Sequence, residues 1–126
     1  IAKARRYRKM LGGGMRQAGI LAAAALVSLE SMVERLSEDH HHAYILAQAI
    51  ANIGYTINLS AVQTNIVVFE ILPFKTDTAR FIEELRLHGM KANQFGEHKV
   101  RMVTHFGVTK ADIEYTVSIL DKLTKG

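Results

Sequence analysis

A glycine-rich segment near the start of the sequence carries the first residues that could bind an anion. Lys9 precedes three consecutive glycines at positions 12–14, and Arg16 follows them at the start of a long apolar stretch. Glycine lets the backbone take positive φ and approach a ligand closely. We expect a helix to begin near Met15 or Arg16, with unpaired N–H groups and partial positive charge at its start. These features predict a phosphate or carboxylate site, and the alternative is a tight connection between two helices.

Arg101 is the second candidate for anion binding. It lies in a predicted strand in which Val100 and Met102 point to one face while Arg101 and His105 point to the other. The planar guanidinium group can bind a carboxylate through two parallel hydrogen bonds. The alternative is an exposed or salt-bridged arginine without a ligand. Thr104 and His105 could also contact a substrate, although a histidine at a strand end is more often structural.

Other types of catalytic site find little support in this sequence. There is no cysteine, which excludes disulfides, thiolate nucleophiles and cysteine-bound zinc. The histidines at positions 40–42 are consecutive in a predicted helix, so they point in different directions and do not form a metal site. No metal ligand set, Ser/His/Asp arrangement or pair of carboxylates is predicted.

Length and charge fit one domain of common size with a strongly basic start. The chain has 126 residues, 48% of them hydrophobic, and a net charge of +4. The first sixteen residues hold six basic side chains and no acidic one, whereas the rest of the chain carries ten basic and twelve acidic residues. The basic charge is therefore local, and such a segment can face nucleic acid, solvent or an anionic ligand.

The first part of the chain is predicted to be helical. Residues 1–11 resemble the end of a helix, and a second helix is expected from Arg16 to about Ser37, with an apolar surface all round between Ala18 and Leu29 that predicts burial. This stretch is too short and too alanine-rich to span a membrane. A third helix is expected from about Asp39 to Gly54.

The pattern changes at Tyr55, after which short strands alternate with helices. Strands are predicted around residues 56–59, 65–72, 91–95 and 98–105, with Pro73 ending the second of them. Helices are predicted from Thr76 or Asp77 to about His88, and from Thr109 to about Lys122, with Gly126 closing the chain. The tail is thus predicted to be a small α+β domain whose sheet is antiparallel and carries its helices on one face.

The glycine segment resembles the region that follows the cofactor lysine in low-specificity L-threonine aldolases. The resemblance rests on residues 5–19 (RRYRKMLGGGMRQAG), 22–26 (AAAAL), 33–40 (VERLSEDH) and 101–105 (RMVTH), in the order and at about the spacing of that family. It implies the C-terminal part of a pyridoxal 5′-phosphate (PLP) enzyme of the aspartate-aminotransferase fold type I. Residues 1–54 would end the large PLP domain and include its bridging helices, and residues 55–126 would form the C-terminal small domain.

The same resemblance implies an activity and roles for three residues. The complete enzyme would cleave L-threonine or L-allo-threonine to glycine and acetaldehyde. Arg101 would hold the α-carboxylate of the amino-acid substrate, and Lys9 and Arg16 would lie near the PLP phosphate. No Ser-Lys-Gly sequence occurs here, so the Schiff-base lysine is expected upstream, in a missing N-terminal part, and this chain alone should be inactive.

The resemblance also implies a homo-oligomer, dimeric or tetrameric, and we expect a cytoplasmic protein that binds neither membranes nor nucleic acid. A related fold-type-I β-hydroxy-amino-acid lyase, such as a phenylserine aldolase, is an alternative. The alternative from another class is a small basic module that binds nucleic acid through residues 1–16. That segment lacks interleaved aromatic residues and any known binding motif, which weighs against it.

Overall fold

The computed structural model describes residues 1–71 and 77–125. The chain divides into two units, Ile1–Arg35 and Leu36–Gly126, which we call the N-terminal unit and the C-terminal unit. The domain boundary expected after residue 54 concerns the complete enzyme and stays a prediction.

The N-terminal unit consists of two helices, α1 (Ala2–Met10) and α2 (Gly19–Val27), and a π-helical turn at Ser28–Met32. The sequence pattern predicted one helix from Arg16 to about Ser37, and this prediction was wrong at both ends. Gln17 has φ of +52°, a left-handed conformation that a right-handed helix cannot include, so α2 begins only at Gly19. After the π-helical turn, residues 33–35 form a turn before α3 begins at Leu36.

Helix α2 is exposed along its whole length, contrary to the burial that its composition predicts. None of its nine residues is buried, and Ile20 and Leu21 are 85% and 60% exposed. A helix that is apolar all round needs neighbours on every side. Within its own unit the other helix is α1, which is rich in Arg and Lys and has no buried residue either.

In its described residues, 36–71 and 77–125, the C-terminal unit contains three helices and four strands, and a short 3-10 turn at Leu59–Ala61 follows the first strand. Its elements, in chain order, are α3 (Leu36–Ile53), β1 (Thr56–Ile57), β2 (Ile66–Glu70), α4 (Thr78–Leu87), β3 (Asn93–Gln94), β4 (Lys99–Val103) and α5 (Lys110–Lys125). The strands form one sheet in the order β1-β2-β4-β3, and every neighbouring pair is antiparallel. The predicted antiparallel sheet is therefore confirmed.

Local sequence signals explain the helix limits in this unit. The Asp77 carboxylate accepts a hydrogen bond from the Arg80 N–H at 3.1 Å and caps α4, as predicted. Gly54 and Gly89, with φ of +111° and +79°, follow the ends of α3 and α4. The predictions that concern Pro73, Thr76 and Gly126 lie outside the described residues.

The core lies on one face of the sheet. The register pairs Val67 with Met102 and Phe69 with Val100, and all four side chains are buried. Helices α3, α4 and α5 supply nine more residues of the same apolar cluster: Ala43, Leu46, Ala47, Ile50, Phe81, Leu85, Ile113, Ile119 and Leu120. Tyr55 and Ile71, which lie outside the helices, complete it in the described part of the chain. This arrangement matches the predicted layer of helices on one face and leaves the opposite face without helices from this cluster.

Two buried hydroxyl groups join the helices to the sheet region. Thr104, at the end of β4, donates from Oγ1 to the Asp39 carbonyl oxygen of α3 at 2.6 Å. Tyr55 donates to the Leu120 carbonyl oxygen of α5 at 3.1 Å, while its ring packs edge-on against Phe69. Each bond satisfies a buried polar group, so the helices are held in one position over the sheet.

Candidate functional site

The face of the sheet opposite the core carries the charged side chains of the strands. We call it the open face and define it by Ile66, Val68 and Glu70 of β2 and by Lys99, Arg101 and Val103 of β4. The register pairs these residues across the two strands, with Val68 opposite Arg101 and Glu70 opposite Lys99. Lys99 Nζ lies 3.1 Å from Glu70 Oε1. A groove of about 550 Å³ runs along the β1 and β2 side of this face.

Arg101 lies on the open face as its place in the alternation predicts. It is half-buried, and its Nε is buried without a hydrogen-bond partner among residues 1–71 and 77–125. No carboxylate in this described part forms a salt bridge with it, whereas Lys99 next to it pairs with Glu70. A buried N–H donor without an acceptor is costly. The Arg101 Nε is therefore an unsatisfied donor in the described part of the chain.

Phe95 is a neighbour of Arg101 that the sequence pattern did not single out. The Arg101 Cζ lies 6.0 Å from the centre of the Phe95 ring. The Phe95 N–H donates to the Lys99 carbonyl oxygen at 2.8 Å, so the β3–β4 ladder continues by one pair beyond Asn93–Gln94. The sequence contained part of the signal. Residues two apart in a strand point to the same face, so Phe95 lies on the same face as Asn93 once the hairpin register is known.

The glycine segment ends α1 through a Schellman motif. The Gly12 N–H donates to the Lys9 carbonyl oxygen at 3.3 Å, and the Gly13 N–H donates to the Arg8 carbonyl oxygen at 2.8 Å. Gly12 has φ of +83°, as the first residue beyond such a helix end requires. These two N–H groups are therefore hydrogen-bonded within the chain, which fits the alternative of a tight connection between two helices. Hydrogen bonds to an anion would have to come from the basic side chains and from the start of α2.

The cationic groups lie on both sides of this connection. A Cβ on Gly14 would collide with Lys9 Cδ and lie 3.0 Å from Lys9 Nζ, so glycine makes room for the lysine side chain. Arg16 precedes α2 by three residues and is exposed, rather than lying in the first helical turn as expected. The first backbone bond at the start of α2 runs from the Ala22 N–H to the Ala18 carbonyl oxygen, which leaves the earlier N–H groups available to a ligand.

The other candidate residues, Thr104, His105 and the three consecutive histidines, show no arrangement typical of a binding site in the described residues. Thr104 is buried and held by Asp39, whereas His105 is exposed and its Nδ1 lies 2.7 Å from the Phe106 carbonyl oxygen. The three consecutive histidines lie in α3, and no group of three metal-ligating side chains occurs in the described ranges. No helix in the described part of the chain is both long and apolar enough to cross a bilayer.

The predicted site residues thus fall in different units. Arg101 belongs to the C-terminal unit, and Lys9 and Arg16 belong to the N-terminal unit. The roles predicted for these three residues stay predictions.

Comparison with known proteins adds a family and a fold. The model of the beta-eliminating lyase family matches residues 1–72. Low-specificity L-threonine aldolase 1 of Arabidopsis thaliana is 37% identical over 120 residues, which cover 94% of this chain and 34% of that protein. The low specificity L-threonine aldolase of Escherichia coli (strain K12) is 34% identical over 113 residues, which cover 90% of this chain and 32% of that protein.

A solved structure of the SepCysS–SepCysE N-terminal domain complex has a similar fold. It superimposes with a TM-score of 0.57 at 17% identity, covering 74% of this chain and 27% of that chain. The predicted fold, the C-terminal part of a fold-type-I PLP enzyme, is confirmed. The chain spans about a third of the length of the curated relatives it matches.

The resemblance to low-specificity threonine aldolases is also confirmed by these identities. The family match and the threonine aldolases point to PLP as the cofactor. The described residues fit such a group, because the basic glycine segment suits a phosphate and the unpartnered Arg101 Nε suits the carboxylate of an amino acid.

Proposed function

Because the chain belongs to the beta-eliminating lyase family, we propose that it is the C-terminal part of a PLP-dependent aldolase. In this proposal, the complete enzyme cleaves L-threonine or L-allo-threonine to glycine and acetaldehyde. The similarity to proteins named L-threonine aldolases supports threonine as the substrate. The single observation that carries the proposal for this chain is the buried, unpartnered Nε of Arg101 on the open face.

In this proposal, Arg101 binds the α-carboxylate of the amino acid. Lys99, two residues earlier on the same face, is already neutralised by Glu70 at 3.1 Å, so Arg101 is the cation that retains its capacity for an added anion. Its guanidinium group can donate two parallel hydrogen bonds to a carboxylate. Holding the carboxylate fixes the orientation of the amino acid at Cα, where the bond to Cβ is cleaved.

Lys9 and Arg16 act near the phosphate of the cofactor. The N-terminal unit carries six basic side chains before any acidic one, which favours a doubly charged anion. The first N–H groups of α2 add donors and partial positive charge. The Schellman motif fixes the path of the chain between the two basic residues, so the glycines position the cations.

PLP supplies an electron sink that stabilises the negative charge left on Cα when the Cα–Cβ bond breaks. The lysine that attaches it is proposed to lie in another part of the complete enzyme, so this chain alone has no aldolase activity. The complete enzyme is further proposed to be a homodimer or homotetramer. The alternative activity is that of a related β-hydroxy-amino-acid lyase of the same fold type, and comparing threonine with phenylserine as substrates separates the two.

One experiment with two variants of the complete enzyme tests both roles. Arg101→Ala should raise KM for threonine at least about tenfold, because a charge-assisted hydrogen bond contributes about 1.5–3 kcal/mol, while leaving the Kd for PLP unchanged. Arg16→Ala should raise the Kd for PLP several-fold, measured by visible absorption titration, while leaving KM for threonine unchanged at saturating PLP.

Arg86→Ala is the matched control, because Arg86 is an exposed arginine of α4 that pairs with Glu83 at 2.7 Å. It should change neither constant. An unchanged KM in Arg101→Ala would remove Arg101 from the substrate site. An unchanged Kd for PLP in Arg16→Ala would remove Arg16 from the phosphate site.

A further inference from the structure

Phe95 is an exposed aromatic residue whose position the core does not explain. Its side chain is 55% exposed and belongs neither to the buried cluster nor to the apolar residues packed against it. By contrast, Phe69 and Phe81 are almost fully buried and pack edge-on against each other. The apolar packing that accounts for those two rings is therefore not what keeps Phe95 in place.

The hairpin register brings Phe95 next to Arg101. Asn93 pairs with Arg101, Gln94 pairs with Val100, and the Phe95 N–H donates to the Lys99 carbonyl oxygen at 2.8 Å. Phe95 is thus the diagonal neighbour of Arg101 on the same face of the sheet, a separation that an aromatic ring and a long side chain can bridge. The Arg101 Cζ lies 6.0 Å from the centre of the ring, which is within the range of a cation–π contact.

Little else restrains the guanidinium group. Its cross-strand neighbour on the β2 side is Val68, which offers no side-chain acceptor, and its Nε has no partner among residues 1–71 and 77–125. An arginine side chain loses considerable rotamer entropy when a ligand fixes it. A ring beside the guanidinium restricts its rotamers without accepting hydrogen bonds from its N–H donors, so the ring does not compete with a carboxylate for them.

We propose that Phe95 is a positioning residue that orients the Arg101 guanidinium for the α-carboxylate of the amino-acid substrate. This inference rests on the proposed function and deepens it. Phe95 acts through Arg101 and does not itself contact the reacting atoms. Its loss therefore weakens amino-acid binding and leaves the rate of the bond-breaking step in the bound complex unchanged.

The test measures KM and kcat for threonine, and the Kd for glycine, in the complete enzyme. Phe95→Leu should raise KM and the Kd for glycine about two- to tenfold with kcat unchanged, and Phe95→Tyr, which retains an aromatic ring, should restore both values. In an Arg101→Ala background, Phe95→Leu should have no further effect on the Kd for glycine, because the group that it positions is gone.

Phe106→Leu is the matched control, since it makes the same substitution at a phenylalanine that is 67% exposed, and it should leave all three constants unchanged. The inference is overturned if Phe95→Leu leaves KM unchanged, lowers kcat alone, or has the same effect with and without Arg101. If Arg101→Ala itself leaves KM and the Kd for glycine unchanged, the proposed function of Arg101 fails first. A Phe95→Leu effect confined to kcat, alongside a raised KM in Arg101→Ala, rejects the positioning role alone.

Discussion

The two units of this chain differ in whether their apolar residues have neighbours. In the C-terminal unit, residues from three helices and the sheet form one buried cluster that includes Ile50, Phe69, Leu85 and Leu120. In the N-terminal unit no residue of α1 or α2 is buried, although α2 consists entirely of glycine and apolar residues. Apolar composition alone does not make a core, because a core requires elements that pack on one another.

The difference indicates where each unit obtains its stability. The C-terminal unit has a sheet with a covered face and buried hydroxyl groups that are hydrogen-bonded, so it holds the interactions that stabilise a fold. The N-terminal unit has local helical bonds and a Schellman motif, and helices of nine residues are marginal in water without packing. The difference in stability between the two units can be tested by making the same kind of measurement or substitution in each unit.

The largest expected difference is in amide hydrogen exchange. In this chain, the amides at the centres of β2, β4 and α3 should exchange at least about a thousandfold more slowly than those of α2, because exchange in a packed core requires nearly global unfolding. In the complete enzyme the amides of α2 should become slow as well. Exchange followed by mass spectrometry on both proteins measures this, and strong protection of α2 in this chain as a monomer would contradict the comparison.

Truncation of one apolar side chain in each unit should give the next largest difference. Phe69→Ala should lower the free energy of unfolding by about 3–5 kcal/mol, because it removes a ring that is almost fully buried. Leu21→Ala should change it by less than about 0.5 kcal/mol, since this side chain is 60% exposed. Urea unfolding of the two variants of this chain measures both values, and similar losses would show that α2 is packed.

The smallest effect concerns the tyrosines at high pH. Burial raises the pKa of Tyr55, and the negative charge of Asp121 raises it further by a smaller amount. Above about pH 10 the unfolded chain loses this proton while the folded chain retains it, so the free energy of unfolding is unaffected below that pH and falls above it. Tyr55→Phe should therefore reduce the fall, and Tyr7→Phe, at a half-exposed tyrosine of the N-terminal unit, should not. Urea unfolding at pH 8 and pH 11 measures the difference, and equal falls in both variants would contradict it.

The main elements of the C-terminal unit could be predicted from its sequence because local signals agree with the final packing. A run of β-branched and aromatic residues around Val67 predicted β2, and Asp77 was one of two predicted caps of α4. The start of α2 could not be predicted in this way. It depends on Gln17 at φ of +52°, a conformation that is uncommon for a residue other than glycine.

The placement of Arg101 could be predicted from the sequence, whereas its surroundings could not. Alternation in β4 predicted the face on which Arg101 lies, and the resemblance predicted its role. Its contact with Phe95 depends on the register of the β3–β4 hairpin, in which Gly96 takes φ of +136°. A single residue of slippage would move Phe95 to the other face, so the sequence alone did not identify this neighbour.

The exposed surface of α2 also has a consequence for the cell. Chaperones and proteases act on chains that present apolar segments, even when another part of the same chain is folded. A copy of these residues that lacked packing partners would be retained or degraded, despite the stable sheet that follows. The same side chains would be buried once α2 was packed against the remainder of the enzyme. Chaperones and proteases would then recognise incomplete copies through α2 and would not recognise assembled ones.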